Sequence, residues 1–129
     1  MRHALHTFSF LALIFCSGCS TSKSVVKVPK PTYNITYKLI ANADFTHLDA
    51  SYLDKTNVGI HQKDIGGKQI EIPIGLVAEG FVASISSTGY GAKDSLASIE
   101  LQIYSNGALV SKGMAHGINP SLAVSYVVE

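Results

Sequence analysis

From Tyr33 onward the chain alternates with period two: Tyr33, Ile35, Tyr37, Leu39 and Ala41 point one way, and Asn34, Thr36, Lys38 and Asn42 the other. Successive side chains of a strand point to opposite faces, so this pattern predicts a half-buried β-strand, with Ile40 its exception. Leu48, Ala50 and Tyr52 alternate with His47, Asp49 and Ser51 as a second strand, closed by the turn residues Asp54-Lys55-Thr56-Asn57. Residues 58–62 form a weaker third candidate, and residues 69–74 a fourth, whose Pro73 places it at a sheet edge or a strand end. Residues 75–80 carry no decisive pattern. A fifth strand is predicted over 81–86, with a loop from Ser87 to Gly91, and a sixth has Ile99, Leu101 and Ile103 on one face.

Asn106-Gly107 is the strongest hairpin signal in the chain, because a type I′ turn needs positive φ at both central residues. A two-residue loop there sets Ile103 opposite Val110, Leu101 opposite Lys112 and Ile99 opposite Met114. Lys112 is out of place on that face, so either its stem covers apolar surface at an edge or a bulge near Gly113 shifts the register. The last strand, 122–128, is regular, and no stretch of eleven residues holds a 3.6-residue period. The fold class expected is all-β, with about seven short strands in a two-sheet sandwich.

The N-terminal residues follow a different rule. Arg2, His3 and His6 precede the apolar run Phe8-Ser9-Phe10-Leu11-Ala12-Leu13-Ile14-Phe15, which is too short to span a bilayer as a mature helix and reads as an export signal. It ends in Cys16-Ser17-Gly18-Cys19-Ser20, which resembles a bacterial lipobox, with Cys16 where that pattern prefers Leu. Small side chains suit the signal peptidase groove, and the Cys19 thiol is the nucleophile that a thioether-linked diacylglycerol requires. The alternative is an ordinary signal peptide cut near Gly18. A buried acyl chain contributes about 0.8 kcal/mol per CH₂, so two or three chains anchor a protein stably. Ser20 after the lipidated residue resembles the sorting signal for the outer membrane. The expected organisation is a leader over 1–18, a lipidated tether over 19–31 with Pro29 and Pro31, and a folded domain over 32–129.

Composition sharpens this picture. Of 129 residues only 15% are charged and the formal net charge is +1, with the single Arg inside the leader. The exported chain has nine lysines against nine acids, so no nucleic-acid partner is expected. Its two cysteines, Cys16 and Cys19, become one discarded residue and one attachment point, which leaves the domain without a disulfide.

The run from Ile35 to Ala43, Leu48-Asp49-Ala50-Ser51-Tyr52 behind it, and the late segment from Ile99 through Asn106-Gly107 to Lys112 resemble the small mycobacterial membrane proteins called MmpS. That family has a V-x-Y-x-V strand, a V-x-Y strand and a late hairpin ending D/N-G-x-x-V, in the same order. The resemblance implies an immunoglobulin-like β-sandwich, and a periplasmic partner of lipid exporters of the resistance-nodulation-division type. Members carry a transmembrane helix where this chain has a lipobox, and cysteines in the late strands where this chain has residues such as Leu101.

No catalytic motif assembles. Gly89-x-Gly91 is too short for a dinucleotide loop, Gly67-Lys68 lacks the flanks of a P-loop, and Asp54-Lys55-Thr56 reads as a strand-end turn. Ser84 and Ser86 stand beside no patterned His and Asp. His47, His61 and His116 have no local ligand spacing, so they meet at a metal only if the fold collects them. No enzyme, cofactor or metal is expected. Tyr33, Tyr37, Tyr52 and Tyr126 read as packing residues, and Tyr90 and Tyr104 as exposed contact anchors for a partner. Two functions fit. One is a non-catalytic envelope module at the periplasmic face of the outer membrane. It is held in lipid through acylated Cys19 and docks on a transporter or other envelope protein by a strand edge or a loop such as 87–95. The other is a carrier or sensor of a small ligand, lipid or metal, which requires an internal cavity.

Overall fold

The computed structural model describes residues 24–129, and the leader and Cys19 lie outside them. Residues 24–31 are exposed and have no regular secondary structure. Eight strands follow: β1 (Thr32–Ala41), β2 (His47–Leu53), β3 (Gly59–Gln62), β4 (Gln69–Ala78), β5 (Val82–Tyr90), β6 (Ser98–Ser105), β7 (Ala108–His116) and β8 (Ser121–Val127). They form two antiparallel four-stranded sheets, β4-β1-β6-β7 and β3-β2-β5-β8, packed face to face. The expected all-β sandwich is the fold, with eight strands for the approximate seven. Among the described residues, only β2–β3 and β6–β7 are hairpins within one sheet, and every other connection between strands crosses between sheets.

The alternation of β1 holds. Ile35, Tyr37, Leu39 and Ala41 face inward and meet Leu48, Ala50, Ala83, Ile85, Ile99, Leu101 and Ile103 in one core. Three departures from the sequence pattern have local causes. β5 runs on to Tyr90, through residues expected to be loop, because Ser87 and Gly89 face the core. The Ser87 hydroxyl donates to the Asp49 carbonyl at 2.7 Å, and a Cβ on Gly89 would lie 2.7 Å from the Phe45 ring. β4 continues past Pro73 to Ala78. The Ala41 N–H donates to the Lys68 carbonyl, which fixes the ladder's parity and leaves Pro73 facing the free edge, where its missing N–H breaks no ladder bond. A bulge at Ile74, beside Gly75 at φ +94°, then reverses which residues face inward.

The third departure corrects the β6–β7 register. Asn106 and Gly107 make the expected turn, at φ +50° and +81°. The bulge, however, falls at Val110 rather than near Gly113. Tyr104 pairs with Leu109, but Ile103 pairs with Ser111, Leu101 with Gly113 and Ile99 with Ala115. The one-residue shift sends Lys112 to the outer face opposite Gln102 and turns Gly113 to the inner face. Close approach is why glycine stands there: a Cβ would come within 2.9 Å of Val124 Cγ1 and 3.1 Å of Leu122 Cδ1.

Tyr37 ties the two sheets together. It is fully buried, with its ring edge-on to Tyr52 at 5.9 Å. Its hydroxyl accepts from the Ser84 N–H at 3.1 Å and donates to the Leu53 carbonyl at 3.0 Å. The β2–β5 ladder ends at Tyr52 and Ile85, and Leu53 and Ser84 are the next pair in that register. The phenol thus sits where a ladder hydrogen bond would fall and bridges the strands as they part. Burial pushes the hydroxyl's pKa above its ordinary value, against a smaller opposing effect of the Ser84 N–H.

Candidate functional site

A group of hydrogen-bonded polar side chains lies on the outer face of the β3-β2-β5-β8 sheet. The turn that joins β2 to β3 is set by Asp54, whose Oδ1 accepts from the Thr56 hydroxyl at 2.7 Å, the Thr56 N–H at 2.8 Å and the Val58 N–H at 2.9 Å. These hydrogen bonds, the Thr56 hydroxyl foremost, hold its carboxyl below the usual aspartate range. Asp54 is therefore the anchor of a turn, as the sequence suggests. That turn sets Ser51 opposite His61, and the Ser51 hydroxyl meets His61 Nδ1 at 2.7 Å. The Ser86 hydroxyl, on β5, donates to the Ser51 carbonyl at 3.4 Å. An open groove of about 370 Å³ runs beside the pair, lined by Leu53, Ile60, His61, Ser84 and Ser86 among others.

A second polar contact lies at the other end of β2. His47 Nδ1 is 2.5 Å from Asp64 Oδ1, and the Asp64 N–H donates to Asp49 Oδ1 at 2.9 Å. With the Ile65 N–H bonded to the Leu48 carbonyl, this straps the β3–β4 connection onto β2. Tyr90 stands opposite His47 in register and is 47% exposed.

The chemistry open to these groups follows from their pairing. Ser51 and His61 are a hydroxyl and a base within hydrogen-bond reach. A triad also needs a carboxylate on the other ring nitrogen; of the acids along β2 and the β3–β4 connection, Asp64 is bonded to His47, and Asp49 accepts from the Asp64 N–H. His47 and His61 share this face, while His116 ends β7 in the other sheet. Among the described residues no three His, Cys, Asp or Glu side chains come together as a metal site.

Tyr90 and Tyr104 do not form one contact patch. Tyr104 lies on the outer face of the other sheet and is half-buried rather than exposed. Its hydroxyl donates to Gln102 Oε1 at 2.7 Å, and Lys38 Nζ lies 4.8 Å from its ring centroid while reaching toward Glu71 at 3.9 Å. Tyr104 is thus occupied by its own neighbours. The loop expected over 87–95 shortens, because β5 takes its first part. Cys19, the expected attachment point, lies outside the described residues.

The strand edges differ in how they meet solvent. β3 is four residues long. β4 carries Pro73, Glu71 and a bulge, and β7 carries Lys112 and a bulge. These are common devices that discourage edge pairing. β8 has none of them: Ser121-Leu122-Ala123-Val124-Ser125-Tyr126-Val127 holds no charge and no proline, and pairs with β5 without a shift. The Val128 N–H donates to Phe81 and the Gly89 N–H to Pro120, which sets the ladder's alternation. Leu122, Val124 and Tyr126 therefore bond to β5, while Ser121, Ala123, Ser125 and Val127 direct their N–H and C=O groups outward at the free edge. Sequence reasoning finds β8 as a strand but does not find it as an edge, since that depends on the crossing connections.

The interior offers no comparable space. Ile35, Tyr37, Leu39, Ile85, Ile99, Leu101, Ile103 and Val128 are each at most 1% exposed and fill the space between the sheets. Five grooves among the described residues, 130 to 430 Å³, open on the outside. One of about 430 Å³ lies at the end of the sandwich and is lined by Asp44, Lys68, Lys93 and Asp94 among others. No helix among the described residues is long and apolar enough to cross a membrane. No protein-family model matches the sequence, and no curated protein matches it either.

Proposed function

We propose that the chain is a lipid-anchored protein of the bacterial cell envelope whose β-sandwich is a non-catalytic binding domain that docks on another envelope protein by its outer surface. One observation carries the choice between docking and carriage: the space between the sheets is taken up by fully buried side chains, and the grooves are external. A carrier of an apolar molecule needs an enclosed apolar volume of several hundred Å³. The anchor is read from Ser17-Gly18-Cys19, with the exposed, irregular segment 24–31 as the tether that lifts the domain from the bilayer. The strand pattern that resembles the MmpS proteins supports a transporter of the resistance-nodulation-division type as the kind of partner, and Ser20 after Cys19 supports the periplasmic face of the outer membrane as the place of this chain.

The test is a co-purification from membranes. The anchored protein, crosslinked in cells and purified under denaturing conditions, is expected to bring down a membrane protein of the envelope. The Cys19→Ala form is expected to leave the membrane fraction and lose that product. A Cys19→Ala form that stays membrane-bound refutes the anchor, and an anchored protein that yields only a bound lipid refutes docking.

A further inference from the structure

We propose that β8 is a self-association edge: two copies of this chain pair their β8 strands antiparallel about a two-fold axis at Val124, fusing two four-stranded sheets into one of eight. The pairing involves the folded domain alone and needs no lipid anchor. Of the four edges, β8 alone is long, regular and free of charge, proline and bulge. Its outward N–H and C=O groups belong to alternate residues, Ser121, Ala123, Ser125 and Val127, as a second strand requires.

The occupant follows from what the register brings together. The one antiparallel self-pairing that engages all four residues sets Ala123 against Ser125 of the second copy and Ser121 against Val127. On the inward face it sets Leu122 against Tyr126 and Val124 against itself. No charge meets a like charge anywhere along the pairing, and the adjacent outer-face residues of β5, Ser84, Ser86 and Thr88, are uncharged too. Leu122, Val124 and Tyr126 are only partly buried in the single copy, so pairing removes further apolar surface from water. A two-fold contact also closes. The fused sheet ends in a short β3 at each side, and the second sheet ends in the bulged β4 and β7, so the assembly stops at two copies.

The test uses residues 24–129, since the whole core lies between Ile35 and Val128. Sedimentation equilibrium is expected to show a reversible monomer–dimer equilibrium. Ala123→Pro removes an N–H that faces the free edge and leaves the β5 ladder intact, as Pro73 does on β4. It is expected to weaken dimerisation about tenfold or more while leaving the thermal midpoint of the monomer nearly unchanged. Ser125→Lys, which sets two ammonium groups near the axis, is expected to act in the same direction. Register is read by disulfide trapping: Ala123→Cys chains mixed with Ser125→Cys chains are expected to crosslink, since paired Cα atoms about 5.5 Å apart suit a disulfide. Either chain alone is expected to crosslink far less. A domain that stays monomeric at millimolar concentration overturns the proposal. So does a dimer that both edge variants leave intact, or trapping as strong in the single chains as in the mixture.

Discussion

Replacing Tyr37 by Phe tests how the sandwich is joined, because it deletes one oxygen and leaves the ring packed against Tyr52. That oxygen accepts from the Ser84 N–H and donates to the Leu53 carbonyl, the two groups that would otherwise pair next in the β2–β5 ladder. Two neutral hydrogen bonds contribute about 1 kcal/mol each, and a buried backbone group left without a partner costs about 1–3 kcal/mol. If the strands close and Ser84 bonds Leu53 directly, the loss falls at the low end of that range. The expected destabilisation is therefore about 2–4 kcal/mol, a fall of about 4–8 °C in thermal midpoint for each kcal/mol in a domain of this size. Urea unfolding followed by circular dichroism measures it, with an unchanged m-value showing that only stability moved.

Tyr52→Phe is the control. Its hydroxyl only accepts from Gln62 Nε2 at 3.2 Å on an exposed strand, so its loss is expected to stay within about 0.5 kcal/mol. The pH dependence supplies a second readout. Burial raises the Tyr37 pKa in the folded state, so its contribution is fully present below the unfolded value near 10 and is lost as pH rises through the folded value. The gap between the native protein and Tyr37→Phe is expected to narrow in that alkaline window. A Tyr37→Phe loss no larger than that of Tyr52→Phe, or a gap that does not change above pH ~10, refutes the bridging role.

The other predictions are local. Gly113→Ala places a methyl 2.9 Å from Val124 Cγ1 and is expected to destabilise by about 1–3 kcal/mol in urea, whereas Gly66→Ala meets nothing within 4 Å and is expected to be nearly neutral. Asp54→Ala is expected to loosen the β2–β3 turn, seen as faster amide exchange at Thr56 and Val58. Because the Asp54 pKa is lowered on folding, its stabilisation is present above the ordinary aspartate value near 3.9 and is lost as pH falls through the lower folded value; acid titration of the native and Asp54→Ala proteins is expected to converge there. Cys19→Ser is expected to abolish labelling by a fatty-acid analogue, and labelling that persists would place the acyl chain elsewhere.

The parts of the fold that sequence makes legible are those where one period runs unbroken. β1, β2 and β8 alternate throughout, and Asn106-Gly107 marks its turn. The misses occur where a single residue resets the alternation. Ile74 and Val110 are inserted into their ladders, so Val77 faces inward out of phase with Ile72, and the bulge that turns Lys112 outward, one of the two expectations for it, falls at Val110 rather than near Gly113. Gly89, which is buried, and Gly113, which is half-buried, face inward because they leave room for Phe45 and for Leu122 with Val124, and an absent side chain carries no hydrophobic signal. The same limit governs the functional surface. Pairing of Ser51 with His61 follows from the Asp54 turn and could be counted from it, since the two residues are equally spaced about that turn. The strap from His47 to Asp64, the bridge through Tyr37 and the bare flank of β8 depend on which sheet each strand joins, and no local pattern states that.

Native mass spectrometry of the protein extracted from membranes weighs the anchor and the filled interior together. The proposed function predicts a chain that begins at Cys19, carries a diacylglycerol and an added acyl group, and retains no further apolar molecule once detergent is stripped. A chain with an unmodified Cys19, or one that holds an apolar ligand at one-to-one stoichiometry, would contradict it.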